Sequence, residues 1–326
     1  MRATGALAMP RPAWSGELRT AAQRLLALAV LAVALSLLSP AFFTPGNLLN
    51  VLRQASLMFL LASGLTLVIL TAGLDLSVGA TAGLSACLAG SVMKATGSAL
   101  LGGLVGLGCG TLAGLGNGLL VTALRLPPFI ATYGTLWVIH GVTYWYMAGD
   151  TIHGFPPAFR ALGSGYWLGI PIPVYLMFLF LALGVGFARY TTYGQEIYAI
   201  GANPVAARLS GIPVGRRLVL VYTVSGAMAG LASLIFLARL NSAEGDIGEP
   251  LVLPAIAAVL IGGTSLFGGV GSVFGTLVGA LILTLVLNGM NLLTISANWQ
   301  PLVTGVIVIL AVYLDTLARG RAAAPR

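Results

Sequence analysis

Apolar stretches of about 20 residues recur along this chain and are separated by short breaks rich in charged residues, proline or glycine. An α-helix needs a stretch of that length to cross the hydrocarbon core of a bilayer. The pattern predicts ten such helices, which begin near Leu25, Ala55, Ser77, Gly97, Phe129, Pro171, Leu218, Pro254, Gly271 and Pro301. The stretches near Ser77 and Pro254 are glycine-rich and below the usual length. The expected fold is an all-α, polytopic membrane helix bundle.

Composition agrees with this fold and excludes an ordinary soluble domain. Of the 326 residues, 58% are hydrophobic and 7% are charged, whereas about a quarter of a soluble domain is charged. The first apolar run, from Leu25 to Leu38, follows basic residues as in a signal peptide. The run begins far from Met1, and Ser39-Pro40 is a poor cleavage site. We therefore interpret this run as an uncleaved first span.

The distribution of basic residues predicts how the chain is oriented in the membrane. An even number of spans puts both termini on one side, and the cytoplasmic side is the one where lysine and arginine concentrate. With a cytoplasmic N-terminus, that side holds 12 of the 16 basic residues, namely Arg2, Arg11, Arg19, Arg24, Arg125, Arg189, Arg208, Arg216, Arg217, Arg319, Arg321 and Arg326. The far side holds Arg53, Lys94, Arg160 and Arg239. The net charge of +8 therefore reflects topology and not nucleic-acid binding.

The predicted plan is a cytoplasmic segment over residues 1–24, a single transmembrane domain over 25–317 with a cytoplasmic loop over 189–217, and a cytoplasmic tail over 318–326. Two far-side loops, at about 149–166 and 239–249, carry the acids Asp150, Glu244, Asp246 and Glu249. These loops either face a soluble partner or are ordinary solvated loops.

Small residues within the spans point first to helix packing. The glycines at positions 102, 106, 110, 114 and 118 are four apart and therefore share one helical face. Such a face lets two membrane helices approach closely, and pore lining is the second interpretation. Cys87 and Cys109 lie in apolar segments without metal-site spacing, so we interpret them as packing residues.

The first segment with distinctive chemistry runs from Thr71 to Gly79 and has the sequence T-A-G-L-D-L-S-V-G. Asp75 followed by Ser77 at a helix start is typical of an N-cap region, where a carboxylate accepts hydrogen bonds from free backbone N–H groups. Glycines on both sides allow a tight reversal. An ion-relay carboxylate is the alternative, because charges buried in membranes are often functional.

The second segment, Tyr193 to Ile212, contains every signal of a short helix. Asn203 suits the N-cap, Pro204 the first helical position and Gly211 the C′ position, with two turns between them. A short, self-capped helix outside the membrane is suited to docking a partner, because a mere link between two spans needs no capping.

The third segment, Gly262 to Gly279, has paired glycines that bracket a turn between two spans. No strand precedes these glycines and no P-loop lysine exists, since Lys94 is the only lysine of the chain. Nucleotide binding is therefore disfavoured, and a helix break or membrane re-entry is expected.

Together these segments resemble the permease family of sugar importers of the ribose, xylose and arabinose type, within the ATP-binding-cassette superfamily. The resemblance spans nearly the whole chain and implies a ten-helix permease of the bacterial inner membrane that translocates a monosaccharide or similar small polar solute. It implies three kinds of partner: cytoplasmic ATP-binding subunits, a periplasmic solute-binding protein, and a second permease copy or a related permease. It also implies contact with the ATPase at Gly201, Asn203, Pro204, Ala206, Ala207, Arg208, Ser210, Gly211 and Ile212. The remaining motif positions are Gly73, Asp75, Ser77, Gly79, Gly262, Gly263, Gly268, Gly269 and Gly271.

One stretch departs from the family pattern. Before Ile256 the family commonly shows an acidic E-L-D-like sequence, whereas this chain has Leu251-Val252-Leu253-Pro254-Ala255, with Glu249 as the nearest acid. The boundary of this helix and the identity of the sugar therefore stay open.

Other function classes fit less well. The chain has no Walker-type loop, so ATP hydrolysis is expected on a separate subunit and no cofactor is expected. A secondary, ion-coupled transporter is the alternative, but the candidate relay groups Asp75, His140 and Lys94 lie at or near span ends. His140 and His153 alone cannot form a histidine-rich metal site. Candidates for solute contacts are Thr111, Asn117, Tyr222, Asn288 and Asn291, with hydrogen bonding between helices as the alternative for each.

Overall fold

The computed structural model describes residues 14–323, with side-chain surroundings for residues 21–317. The predicted terminal segments 1–24 and 318–326 therefore fall partly outside the described residues. The described chain is a helix bundle, which confirms the predicted all-α fold. Its helices are α1 Trp14–Leu38, α2 Pro45–Leu70, α3 Val78–Thr96, α4 Ala99–Thr122, α5 Pro128–Met147, α6 Pro157–Ser164, α7 Ile172–Tyr190, α8 Thr192–Ala202, α9 Pro204–Leu209, α10 Val214–Leu240, α11 Val252–Ile261, α12 Val273–Leu292 and α13 Gln300–Ala323.

Each predicted span coincides with one of these helices, but two of the ten differ from an ordinary apolar span. Eight helices among the described residues are long and apolar enough to cross a membrane: α1, α2, α3, α4, α7, α10, α12 and α13. Helix α5 has 20 residues, but its many tyrosines and tryptophans and His140 make it less apolar. Helix α11 has ten residues, about half the length that the hydrocarbon core requires.

Helix α2 begins at Pro45, ten residues before the predicted start at Ala55. The predicted start was too late because the first turns of the helix contain polar residues, which interrupt the apolar pattern. The structure gives two of them partners: the Asn47 and Asn288 amides exchange hydrogen bonds of 2.8 and 3.1 Å, and the Arg53 guanidinium lies 4.9 Å from the centre of the Tyr166 ring. Polar residues in the first turns are therefore compatible with a span, since neighbouring elements provide contacts for both of these side chains.

Helix α2 is also the centre of the bundle. Every residue from Ala55 to Leu70 is buried, and the helix packs against α7, α10, α11 and α12. Helices α1 and α13 lie at the periphery and expose large apolar side chains such as Leu37 (83% exposed) and Ile309 (69%). Such surfaces are suited to lipid and not to water.

The glycine face of α4 makes close helix contacts, as the spacing predicts. All five of its glycines are buried. A Cβ atom on Gly110 would lie 2.4 Å from the Gly226 carbonyl oxygen, and one on Gly114 would lie 2.2 Å from the Tyr222 carbonyl oxygen. Helices α4 and α10 therefore touch backbone to backbone. Cys87 is buried and Cys109 half-buried, both as free thiols.

The two acid-bearing loops meet at one end of the bundle through residues 152–153 and 242–243, and residues 244–249 of the second loop then turn back along α3. Strand β1 (Ile152–His153) pairs with β4 (Ser242–Ala243) in an antiparallel ribbon, and β2 (Tyr166–Trp167) pairs with β3 (Ile170–Pro171). The segments around residues 71–77, 191–213 and 262–272 lie at the other end, where their backbones touch. The loops therefore lie at alternate ends of the bundle, as the predicted spans require. That the second end faces the cytoplasm stays a prediction.

Candidate functional site

The three distinctive sequence segments come together at one point of the bundle, around Gly201. The Gly269 amide donates a hydrogen bond of 2.9 Å to the Leu70 carbonyl at the end of α2. Gly201 of α8 lies against both groups, because a Cβ atom there would be 1.8 Å from the Leu70 oxygen and 2.4 Å from the Gly269 nitrogen. Only glycine fits where three backbones approach so closely. We call this contact the three-backbone junction: Leu70, Gly201 and Gly269.

The third segment forms a tight turn that supports the junction. Gly263, Gly268 and Gly269 have φ values of 77°, 79° and 73°, a region that favours glycine. The Tyr198 hydroxyl donates a hydrogen bond of 2.9 Å to the Gly271 carbonyl, which ties α8 to the same turn. The glycines therefore allow the backbone conformation of this turn, as expected for a helix break between α11 and α12.

The second segment forms the predicted capped helix, α9, directly after the junction. The Asn203 Oδ1 atom accepts hydrogen bonds of 3.0 Å from the backbone N–H groups of Val205 and Ala206. At the other end, the Gly211 amide donates to the Arg208 carbonyl and the Ile212 amide to the Ala207 carbonyl, both at 3.1 Å. With Gly211 at φ 85°, this is a Schellman motif. The predicted caps are confirmed.

Helix α9 has one anchored face and one free face. Ala207 is buried and packs with Ile200, Val214 and Ile212. The opposite face exposes Val205 (65%) and Leu209 (84%) beside the exposed Arg208. Helix α9 therefore presents two exposed apolar side chains at this end of the bundle.

The comparisons with known proteins identify the family. The profile of a family described as a branched-chain amino acid transport system / permease component matches residues 47–312. The ribose import permease protein of Bacillus subtilis (strain 168) is 42% identical over 292 residues, which cover 89% of this chain and 91% of that protein. The chain belongs to the permease family of ATP-binding-cassette sugar importers.

Further relatives of this permease differ in the solute that their names give. The galactose/methyl galactoside import permease protein of Escherichia coli (strain K12) is 34% identical over 302 residues, covering 86% of this chain and 90% of that protein. The autoinducer 2 import system permease protein of Klebsiella pneumoniae is 34% identical over 289 residues, covering 89% and 84%. No solved structure matches the chain. The permease is a multi-pass protein of the bacterial inner membrane.

The segment before α9 is fixed to the spans on both sides. Thr191 caps α8 by accepting a hydrogen bond of 3.1 Å from the Gly194 amide. Glu196 of α8 forms an ion pair with Arg217 of α10, and the Arg217 guanidinium lies 4.0 Å from the centre of the Tyr193 ring. Helices α8 and α9 are thus held between α7 and α10. Helix α8 was not predicted from the sequence, because the burial of this helix depends on contacts with Leu70 and with the glycine turn.

The Asp75 carboxylate connects three parts of the permease. It is 1% exposed and accepts hydrogen bonds from the Ser77 amide (3.1 Å), the Ser77 hydroxyl (2.7 Å) and the Ser225 hydroxyl of α10 (3.0 Å). The Asn117 amide of α4 donates to the Ser77 hydroxyl at 2.7 Å and approaches Asp75 at 3.5 Å. Asp75 does accept from a backbone N–H at the start of α3, and its contacts with α4 and α10 go beyond the predicted cap. We call these residues the Asp75 cluster: Asp75, Ser77, Asn117 and Ser225.

Three of the five candidates for solute contact are buried inside the permease. Asn117, Tyr222 and Asn288 are 1%, 0% and 3% exposed, and Asn117 and Asn288 bond to neighbouring helices. They offer no surface to a solute here. The half-buried Thr111 donates to the Leu107 carbonyl of its own helix, and the exposed Asn291 accepts from Gln300. Four of the five side chains therefore make hydrogen bonds within the chain, whereas the buried Tyr222 hydroxyl has no hydrogen-bond partner among the described residues. A role in solute contact stays a prediction for these positions.

Proposed function

We propose that this permease translocates a monosaccharide or a similar small polar solute that a periplasmic binding protein delivers, and that separate cytoplasmic ATP-binding subunits supply the energy. The names of its relatives, which give ribose, galactose or methyl galactoside, and autoinducer 2, support this solute class. Two permease subunits, identical or related, complete the membrane part. The sequence similarity favours ribose among these solutes, with 42% identity against 34% for the other two.

The coupling part of this proposal rests on the way α9 is capped and attached to the membrane spans. Its caps make the helix a stiff unit, and the three-backbone junction joins its predecessor α8 to α2 and to the turn before α12. A displacement of α9 is therefore passed to the spans, whereas a flexible link would absorb it. Coupling requires contacts that differ between two states. The ATP-binding subunit makes these contacts with the exposed face of α9.

The experiment replaces one exposed leucine at each end of the bundle by aspartate. Leu209→Asp changes the free face of α9, and Leu168→Asp is the matched control, because Leu168 is 81% exposed against 84% for Leu209 and lies at the opposite end. Each variant is combined with the ATP-binding subunit and the binding protein in vesicles. We expect Leu209→Asp to lose both retention of the ATP-binding subunit and sugar uptake. We expect Leu168→Asp to retain the ATP-binding subunit.

Wild-type retention and uptake by Leu209→Asp would contradict the coupling role. Loss of retention by Leu168→Asp alone would place the ATP-binding subunit at the wrong end of the permease.

A further inference from the structure

A non-helical segment of the chain lies at the depth of the bilayer. Residues 243–248 run back alongside α3, from Ala243, which faces Gly90, to Gly248, which faces Gly79. A single 3₁₀ turn, Glu249–Leu251, connects them to α11. These α3 positions are eleven residues apart, or about 16 Å along a helix axis. A Cβ atom on Gly79 or Gly83 would lie 2.6 Å from a carbonyl oxygen of this segment. Since α3 is long and apolar enough to span the membrane, the segment beside it lies within the hydrocarbon layer.

Ala243 and Gly248 are buried against α3, but the described residues do not cover the acidic side chains of this segment and of the turn that follows it. Glu244, Asp246 and Glu249 are exposed. Irregular backbone at membrane depth is found only where protein buries it or where it lines a water-filled cavity. A carboxylate that faces lipid at the membrane centre is strongly unfavourable. Lipid therefore does not cover this side of the permease.

Helix α5, next to this segment, has two different flanks. Along one flank, Tyr133, Trp137, His140 and Tyr144 form a continuous row, with successive ring centres 6.3, 5.9 and 4.4 Å apart. The other flank, with Ile130, Gly134 and Val138, lines an apolar groove of about 950 Å³ against α4. One flank is thus suited to lipid chains, while the other carries hydroxyl, indole N–H and imidazole groups.

The aromatic row and the non-helical segment form one surface. A Cβ atom on Gly245 would lie 3.4 Å from the Thr143 methyl group and 3.7 Å from the Tyr144 ring. Tyr133, Trp137 and Tyr144 are 46%, 57% and 50% exposed. We call this surface the aromatic–acidic face; its residues are Tyr133, Trp137, His140, Tyr144, Glu244, Asp246 and Glu249.

The charges of the aromatic–acidic face indicate whether protein or water lies against it. Neither α5 nor residues 241–251 contain a lysine or arginine. Direct packing against the same face of a second permease would bury six carboxylates in total without a counter-charge, three from each copy, which is strongly unfavourable. Water keeps these carboxylates hydrated. The face therefore borders an aqueous space within the membrane.

We propose that the aromatic–acidic face is a wall of the solute pathway and makes transient contacts with a polyhydroxylated solute. Aromatic rings present flat apolar surfaces to the C–H faces of a sugar, and their polar edges form hydrogen bonds. The carboxylates accept hydrogen bonds from sugar hydroxyl groups. Several weak contacts along a row permit passage, because each is weak enough to release the solute. This inference rests on the proposed function of the permease as a sugar importer.

The first test measures which flank of α5 meets water. In a Cys87→Ala, Cys109→Ala background, single cysteines are introduced as Tyr133→Cys and Trp137→Cys, with Val138→Cys as the control on the opposite flank (67% exposed against 57% for Trp137). The complete transporter in vesicles is treated with a water-soluble methanethiosulfonate. We expect modification of Trp137→Cys at least tenfold faster than that of Val138→Cys.

Equal rates on the two flanks, or faster reaction of Val138→Cys, would overturn the proposal. So would an unreactive Trp137→Cys that instead forms a disulfide between two permease copies, since that result would make the face a direct contact. These outcomes do not depend on transport. They are therefore distinguishable from a failure of the proposed function, which would appear as absence of ATP-dependent uptake by the wild type.

The second test asks whether the face contacts the solute. Trp137→Ala removes one exposed ring, and Val138→Ala is the control on the other flank. We expect Trp137→Ala to lower sugar uptake about tenfold, the factor that corresponds to about 1.4 kcal/mol, while Val138→Ala retains wild-type uptake. Equal membrane insertion and equal retention of the ATP-binding subunit show that both variants fold. Wild-type uptake by Trp137→Ala would contradict a contact with the solute.

Discussion

Gly201→Ala tests the three-backbone junction, because the added methyl group has no space. Its carbon would lie 1.8 Å from the Leu70 carbonyl oxygen and 2.4 Å from the Gly269 nitrogen, well inside ordinary contact at 3.4–4 Å. Both opposing atoms belong to backbone, so no side chain can rotate away. The methyl group also lies against the partners of the 2.9 Å hydrogen bond from Gly269 to Leu70. Overpacking and the loss of this bond together destabilise the junction by about 2–4 kcal/mol.

The assay compares Gly201→Ala with Gly215→Ala, a nearby substitution whose added carbon would meet only the Thr122 Cβ atom at 4.0 Å. Uptake and ATP hydrolysis are measured in vesicles with the partner subunits. We expect Gly201→Ala to insert in the membrane, to lose at least tenfold in uptake and to uncouple ATP hydrolysis from transport. Gly215→Ala is expected to behave as the wild type. Wild-type uptake by Gly201→Ala would refute the argument that α9 transmits motion through this junction.

Three further predictions concern the Asp75 cluster, the glycine face of α4 and the orientation of the chain. Asp75→Ala leaves the hydroxyl and amide groups of its cluster unsatisfied and is expected to lower the free energy of unfolding by about 1–3 kcal/mol in detergent; an unchanged unfolding midpoint would contradict this. Gly114→Val is expected to prevent stable packing of α4 on α10, whereas Gly116→Val, which has no atom within 4 Å of its added carbon, is tolerated, as measured by the yield of monodisperse protein. A reporter inserted near Arg208 is expected in the cytoplasm and one near Arg160 outside, and the reverse result would overturn the predicted orientation.

Local signals made the capped helix predictable from the sequence. Asn203, Pro204 and Gly211 act on backbone groups within a few residues, so their spacing alone specifies where α9 begins and ends. The glycine spacing in α4 is similarly local, because positions four apart share one face whatever the partner is. Gly226 and Gly230 of α10 have the same four-residue spacing, but spacing alone does not specify which two glycine faces pack together.

Features that depend on distant segments were not predictable in the same way. The start of α2 at Pro45 depends on partners for Asn47 and Arg53 that lie far along the chain. The sequence separates Leu70, Gly201 and Gly269 by more than sixty residues each, so their contact appears only in the folded chain. The stretch near Pro254 is short in the sequence, but hydropathy does not show why. Residues 243–248 follow α3 as irregular backbone, and a 3₁₀ turn at Glu249–Leu251 precedes α11, which has only ten residues.

The solute pathway shows a further limit of sequence reasoning. Polar residues such as Asn117 and Asn288 were natural candidates for solute contact, but inside a helix bundle a polar side chain more often satisfies another helix. The aromatic row of α5 was not recognised, since tyrosine and tryptophan are also common at membrane interfaces. The signal that identifies the row is the exposed, irregular acidic segment beside it, which only the structure shows.

The central claim is that this permease moves a sugar with energy from ATP hydrolysed on another subunit. The most direct measurement is uptake of labelled ribose, with galactose as a second sugar, into vesicles that contain the permease with its ATP-binding subunit and binding protein. We predict accumulation only when ATP and the binding protein are both present, and none from an imposed proton or sodium gradient. Accumulation driven by such a gradient through the permease alone would contradict the account and favour an ion-coupled transporter.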